Sequence, residues 1–465
     1  MLFKMNDRLI RHATIIVVVL LLAASLSRGD PPRTVSDLRS LQTAINDAGA
    51  GNVIVLTDGT YRTVGPIDVR GKYGTDDKPI VIRATQRGGA TISGKAGFAL
   101  FDCEHVVIEG LRFTHDADQP AVLLEDCRRC RVTRNHFALA ERDEPRRWEH
   151  WVYVIGARSG YNRFDRNLFE NKRNRGSPLF VRGDDQTQTC SKYDRLDHNY
   201  FRNVPFAKGE NGHETVRTGS NVLGDFDRSS FTVIEDNLFE QCSGEPEIIS
   251  LKSSHNIVRR NTFLNSYGGV FCRLGNSNTI DNNVFICTDD SEGRGGVSLY
   301  GQGHRVTGNY FRGLTGNSMR APLAVKPGTF DGKIAPLREQ NAGDRTCAAA
   351  AHNVISANKW VNCNALEFGL ENQELYRPVQ PHHNRFVENI VIGGMSGKPL
   401  VKLHAPSAVV FIDNVAWSED PKRLRGAWSS RFRIADPTRL TQDDLPRWPG
   451  EPRPLTPDQV GPDAP

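Results

Sequence analysis

The sequence has 465 residues, nine cysteines and a formal net charge of +5 at neutral pH. Residues 1–28 hold +3 of that charge, through Lys4, Arg8, Arg11 and Arg28 against Asp7, so the rest is close to neutral and gives no support to a nucleic-acid partner. The remaining length is enough for two or three ordinary domains or for one long repetitive one.

The N-terminus reads as an export signal rather than as part of the fold. A basic stretch, "MLFKMNDRLIRH", precedes the 14-residue apolar run "ATIIVVVLLLAASL", and small residues follow. The run is short for a membrane span, and no other segment is apolar enough for one. Residues 1–29 are therefore expected to be removed, leaving a secreted or periplasmic protein with no membrane association. Next comes "SDLRSLQTAINDA", which predicts a capped amphipathic helix over Ser36 to Ala48, followed by the strand "VIVL". Such a helix would cover an otherwise open sheet edge.

From there a repeat governs the chain. An Asn, one residue, then an aromatic recurs at Asn135, Asn167, Asn199, Asn237, Asn261, Asn283, Asn309 and Asn358, with degenerate copies at Asn389 and Asn414 and an early one in "GLRF" at Gly110. The asparagines are 22 to 49 residues apart; the shortest gaps define the unit, and longer ones read as that unit plus an inserted loop. Short β-branched runs such as "SFTVIEDNLF" and "SHNIVRRNTF" precede many copies, which says strand and turn rather than helix. The expected fold is an all-β, right-handed parallel β-helix (a solenoid) over residues 30–435, capped by the N-terminal helix. A propeller blade needs about 40 residues and would not tolerate 22. The asparagines should stack at one corner, with the aromatics stacked inside. The cysteines read mostly as small buried thiols, and "CRRC" at 127–130 lacks a second close pair for a zinc ribbon. Residues 436–465, rich in proline, read as an irregular tail packed on the last rungs.

One stretch carries chemistry. In "GEPEIISLKSS" (244–254), Glu245 and Glu247 stand two apart and Lys252 follows an apolar run. Counted from the corner asparagines, Asn211, Glu245, Glu247, Lys252 and Arg273 fall into one column over adjacent rungs. Lys252 has the opposite parity to the glutamates, so a bend or bulge between Ile249 and Lys252 is expected to bring it to their face. Two carboxylates and an amide oxygen are hard donors suited to Ca²⁺, which would also relieve the repulsion between the glutamates.

The blocks "NGHETVRTG", "GEPEIISLKSSHNIVRRNTF", "GGVFCRLGNSNTIDNNVF" and "RGGVSLYGQGHRVTGNYFRGL" resemble consecutive blocks of polysaccharide lyase family 6, which holds alginate lyases and chondroitinase B. The resemblance implies that Asn211, Glu245 and Glu247 bind Ca²⁺, that Lys252 is the Brønsted base and that Arg273 is its acid partner. The implied partner is an anionic uronic-acid polysaccharide, with alginate preferred over dermatan sulfate and a monomeric enzyme expected. A neutral Lys252 would take the C5 proton, while the cation and Arg273 stabilise the charge that develops on the adjacent carboxylate. With its high pKa, Arg273 fits charge stabilisation better than proton donation.

One position departs from the family: Leu274 follows Arg273 where a histidine is usual, and His213, His255 and His304 are the candidates to replace it. Basic residues suited to a sulfated glycan (Arg294, Arg305, Arg320 and Lys326) lie downstream. Two rivals keep the solenoid. An inverting glycosidase could use carboxylates about 6.5–7 Å apart but leaves Lys252 and Arg273 idle. A non-catalytic glycan-binding protein would tolerate Leu274.

Overall fold

The computed structural model describes residues 31–142, 148–221, 228–289, 291–332, 346–370, 377–393, 397–435 and 452–464. The expected export signal lies outside them, and no helix among them is long and apolar enough to cross a membrane.

The strand Arg33–Val35, which pairs with Val53–Leu56, and helix α1 (Leu38–Asp47) open the fold. Asp37 caps the helix, its side chain accepting from the Ser40 N–H, and Leu41, Ala44 and Ile45 turn their side chains onto the first strands. This matches the expected helix to within two residues at each end. The described strands form a parallel β-helix. Three sheets of 14, 13 and 14 strands run its length, each strand pairing with its counterpart one rung away. Among the described strands Thr189–Cys190 pairs antiparallel, as a short excursion against Leu179–Asp184, and an isolated antiparallel bridge joins Gly328 to Val379. One rung illustrates the order: Val233–Glu235 in the first sheet, Leu238–Cys242 in the third, Glu247–Lys252 in the second, then Ile257–Arg259 back in the first.

The repeat does what its residues suggest. Each corner asparagine is buried, and its Oδ1 accepts from the backbone N–H of the asparagine one rung earlier, from Asn135–Asn167 through to Asn389–Asn414. In nearly every step it also accepts from that residue's side-chain amide, which donates in addition to a strand carbonyl. The residue before each asparagine is in the left-handed region (Arg134, His198, Asp236, Arg260 and Ala357 among them, φ 53–57°). That conformation is costly for a side-chain-bearing residue, and the amide ladder holds it in place. In the early copy at Gly110 the ladder position falls to Leu111, whose N–H donates to Asn135. Two residues after each asparagine the rings stack inside the coil, from Phe113 and Phe137 to Phe311 and Trp360, with centroids 4.4–5.0 Å apart. Spacing near the 4.8 Å between strands makes this face-on stack geometrically free.

A second polar ladder, not anticipated from the sequence, stands at the corner between the second and first sheets. It runs Asn162–Asp194 and later Asn256–Asn278–His304–Asn353–Asn384. All nine cysteines are buried free thiols, as expected. The tail is a correction. Its described part, 452–464, lies over early and middle rungs instead of the last ones: Leu455 N–H donates to Thr262, Arg134 donates to the carbonyls of Pro462 and Ala464, and Val460 packs with Tyr200 and Leu238. Apolar side chains left outside the coil at Tyr200 and Leu238 give it a surface to cover.

Candidate active site

The second sheet builds the site on its outer face, where Val216–Gly219, Glu247–Lys252 and Gly269–Cys272 stack in register. Ile249 and Leu251 point into the core; Ser250 and Lys252 point out. The parity problem is solved by a bulge, but not where it was expected. The register slips between Glu247 and Ile249, so Ile248 is the extra residue. Ile248 and Ile249 can then both be buried, and every side chain after them changes face. Lys252 thereby joins Glu247 on the outer side.

Lys252 is only 5% exposed, and its Nζ donates to Glu214 Oε1 at 3.0 Å. Glu214 lies one rung back in the "NGHETVRTG" block and was not singled out from the sequence. Burial pushes its carboxyl up, but the Lys252 ammonium and the Arg217 guanidinium (3.9 Å) outweigh that and hold it below the ordinary carboxylate range. Glu245 shows the opposite balance. Burial, reinforced by the negative charges of Glu214 and Glu247, pushes its carboxyl strongly up. Its Oε2 accepts from the Gly212 N–H at 3.3 Å, which ties the Asn211–Gly212 turn to it and leaves Asn211 exposed at the rim. Gly212 is needed there: its φ is +95°, and a Cβ would stand 3.0 Å from the Trp148 ring. Glu247 accepts from Ser250 Oγ at 2.5 Å and pairs with Arg273 Nε at 3.3 Å. Arg273 also contacts the Cys347 sulfur and faces the Tyr300 ring at 5.6 Å.

Of the five residues expected to act together, Lys252 and Glu247 lie near enough to Glu245 for their charges to act on it, Glu247 pairs with Arg273, and Asn211 stands exposed beside Gly212; Glu214 is an unforeseen sixth. Three carboxylates meet here with opposing demands. Glu245 Oε1 and Glu214 Oε2 are buried and have no hydrogen-bond partner among the described residues. Orphaned anionic oxygens of this kind fit a hard dication. Asn211, Glu245 and Glu247, joined by Glu214, are the residues that would hold it.

Beyond Arg273 the same column continues through Tyr300 and Lys326, which follow paired strands. Lys326 is fully buried and lies over the Phe271 and Tyr300 rings at 4.3 and 4.5 Å; burial holds its amine well below the ordinary lysine range. Arg377 faces Tyr300 from 5.2 Å. Of the other basic candidates, Arg294 and Arg320 line an open groove of about 520 Å³ beside Ser243 and Tyr267, while Arg305 sits exposed on the first sheet. Leu274 donates its N–H to Leu251 O, and two of the three histidines considered in its stead are elsewhere. His304 is a buried member of the second ladder, and His255 stacks on Phe231 outside a corner. His213, between Gly212 and Glu214, adjoins the site; burial lowers its pKa.

The profile of the Chondroitinase B family matches residues 35–390. No curated protein matches the sequence. Among solved structures, the PL6 family alginate lyase AlyGC superposes with a TM-score of 0.78 at 26% identity, covering 93% of this chain. This chain spans only 58% of AlyGC's length. A mannuronic acid specific polysaccharide family 6 lyase from human gut microbiota has a TM-score of 0.72 at 28% identity, with 86% of this chain and 90% of that one covered. A PL6 family polysaccharide lyase from Pseudopedobacter saltans has 0.70 at 25% identity, covering 93% and 99%. With the profile extending over most of the solenoid and the column of acids, amine and guanidinium in place, the chain belongs to the chondroitinase B family, polysaccharide lyase family 6.

Proposed function

We propose that this protein is an exported polysaccharide lyase that cleaves a uronic-acid glycan, alginate in the first instance, by Ca²⁺-assisted β-elimination. The observation that carries the reading is the placement of Lys252. Its amine shares the outer face of the second sheet with Glu247, which pairs with Arg273, and reaches Glu214, whose charge acts on the neighbouring Glu245.

Lys252 takes the C5 proton of the uronate. Bound among Glu214, Glu245, Glu247 and Asn211, Ca²⁺ would supply positive charge to the substrate carboxylate and offset the negative charge of Glu214 beside the amine. Glu214 holds Lys252 in place, since a buried lysine with a single acceptor has little rotameric freedom. Arg273, held by Glu247, orients its guanidinium toward the negative charge that builds as C5 loses its proton. The C4–O bond then breaks, and the new non-reducing end carries a C4–C5 double bond. The leaving oxygen takes its proton from solvent or from the Lys252 ammonium formed in the first step, since the pKa of Arg273 is too high for it to donate.

A dermatan sulfate substrate is the second reading, favoured by Arg294 and Arg320 along the groove beside Ser243. Incubation of the purified protein with Ca²⁺ and either alginate block polymers or dermatan sulfate, followed by ultraviolet absorbance of unsaturated ends, decides between them. Absorbance should rise on alginate and vanish in chelator. New reducing ends without absorbance would mean hydrolysis, and no cleavage of any uronic-acid polymer would leave a glycan-binding protein.

A further inference from the structure

Away from the candidate active site, three histidines meet at the corner that joins the second sheet to the first. His352 and His383 occupy equivalent positions on successive rungs, both in the left-handed region (φ 54° and 52°), with rings stacked at 5.0 Å. His382 stands nearly perpendicular to both, 5.7 and 5.0 Å away. One ring nitrogen from each lies within 4.8 Å of the other two.

Stacking alone accounts for part of this. The same kind of outer corner carries Tyr161, Tyr193, Phe231 and His255 as a column of rings. It does not account for His382. Its Nδ1 lies at hydrogen-bond distance, 2.7 Å, from His383 Nδ1, which brings nitrogens of two different rings together. Its other nitrogen lies 3.0 Å from Asp331, and Gln302 donates to that same carboxylate oxygen at 3.0 Å. The contact is a close charge-to-ring approach and not an aligned hydrogen bond; a carboxylate placed behind an imidazole in this way is the kind of outer partner that orients a metal-ligating histidine.

We infer that His352, His382 and His383 form a binding site for a late first-row divalent cation such as Zn²⁺ or Cu²⁺, with Asp331 supporting His382 from behind. Imidazole nitrogens select these ions over Ca²⁺, which keeps the site chemically distinct from the carboxylate cluster around Glu245. Three protein ligands at a half-exposed corner leave a coordination position for water. An ion there would clip the segment at Asp331 to two consecutive corners.

The test uses the whole chain without an added histidine tag, saturated with Ca²⁺ and titrated calorimetrically with Zn²⁺. One equivalent should bind, and the double variant His352→Asn/His383→Asn should lose at least tenfold in affinity; asparagine tolerates the left-handed backbone at both positions. Nitrogen hyperfine structure from imidazoles in the Cu²⁺ spin-resonance spectrum of the unaltered protein gives a second readout that needs no variant. No uptake by the unaltered protein, a loss smaller than tenfold in the double variant, or a Cu²⁺ spectrum without imidazole coupling overturns the site.

Discussion

Glu214 touches Lys252 with one oxygen and leaves the other buried with no hydrogen-bond partner among the described residues, so its replacement tests both sides of the site at once. Glu214→Gln keeps the shape but strands the Lys252 ammonium and the Arg217 guanidinium beside a neutral amide. Losing one partner of a buried pair costs about 3 kcal/mol, and a lower thermal midpoint in Ca²⁺-free buffer is the expected result. Lys252→Ala acts differently. It removes the base together with one partner of the buried pair, so kcat on alginate should fall about 10³-fold, measured by unsaturated product below a thermal midpoint that is itself lowered. Turnover within tenfold of the parent would exclude Lys252 as the base. At this scale the sequence was a partial guide. Lys252, Glu245, Glu247 and Arg273 stand in a recognisable block, whereas Glu214 is 38 residues from its partner and only the rung geometry joins them.

The corner ladders and the outward face of the first sheet are where strands acquire their stability. Asn283 accepts from the N–H and amide of Asn261 and donates to Val258 and Asp281 carbonyls, all out of water. Asn283→Ala should cost about 2–4 kcal/mol, because it deletes these bonds and orphans a buried N–H, and urea unfolding checks it. On the outside of the first sheet, arginines reach one rung forward to acids: Arg131 to Asp165, Arg163 to Asp197, and Arg195 to Glu235, which also takes Arg259. For Asp197, burial raises the carboxyl, but His198 and Arg163 outweigh it; for Glu235, Arg259 and Arg195 do the same, and both groups titrate below their ordinary values. A depressed folded-state pKa contributes stability above the unfolded pKa of about 4 and loses it as pH falls through the folded value. Acid should therefore begin to destabilise the protein below about pH 4, and Asp197→Asn should flatten that limb of a stability–pH curve. An unchanged acid limb would remove this face from the account.

For the whole molecule, the negative charges of Glu214 and Glu247 beside the buried Glu245 carboxyl oppose its ionisation, a repulsion that a bound dication would offset. Ca²⁺ at a hundred times its dissociation constant should stabilise the fold by about 2.7 kcal/mol, seen as a higher melting midpoint that chelator reverses. A midpoint indifferent to Ca²⁺ would detach the metal from the carboxylate cluster. The tail over the middle rungs and α1 over the first rung both cover surface that parallel coiling leaves open.

The amino-acid sequence by itself determined the coil, its asparagine corner, its inner ring stack and the column on which acids and amine fall. These features recur every rung, and a repeat writes its period into the chain. Only the tertiary structure decided the bulge at Ile248, the Glu214–Lys252 pair, the second polar ladder, the path of the tail and the meeting of His352 with His382, His383 and Asp331. Each depends on which residues of neighbouring rungs come level, and inserted loops of unequal length hide that register from any count along the chain.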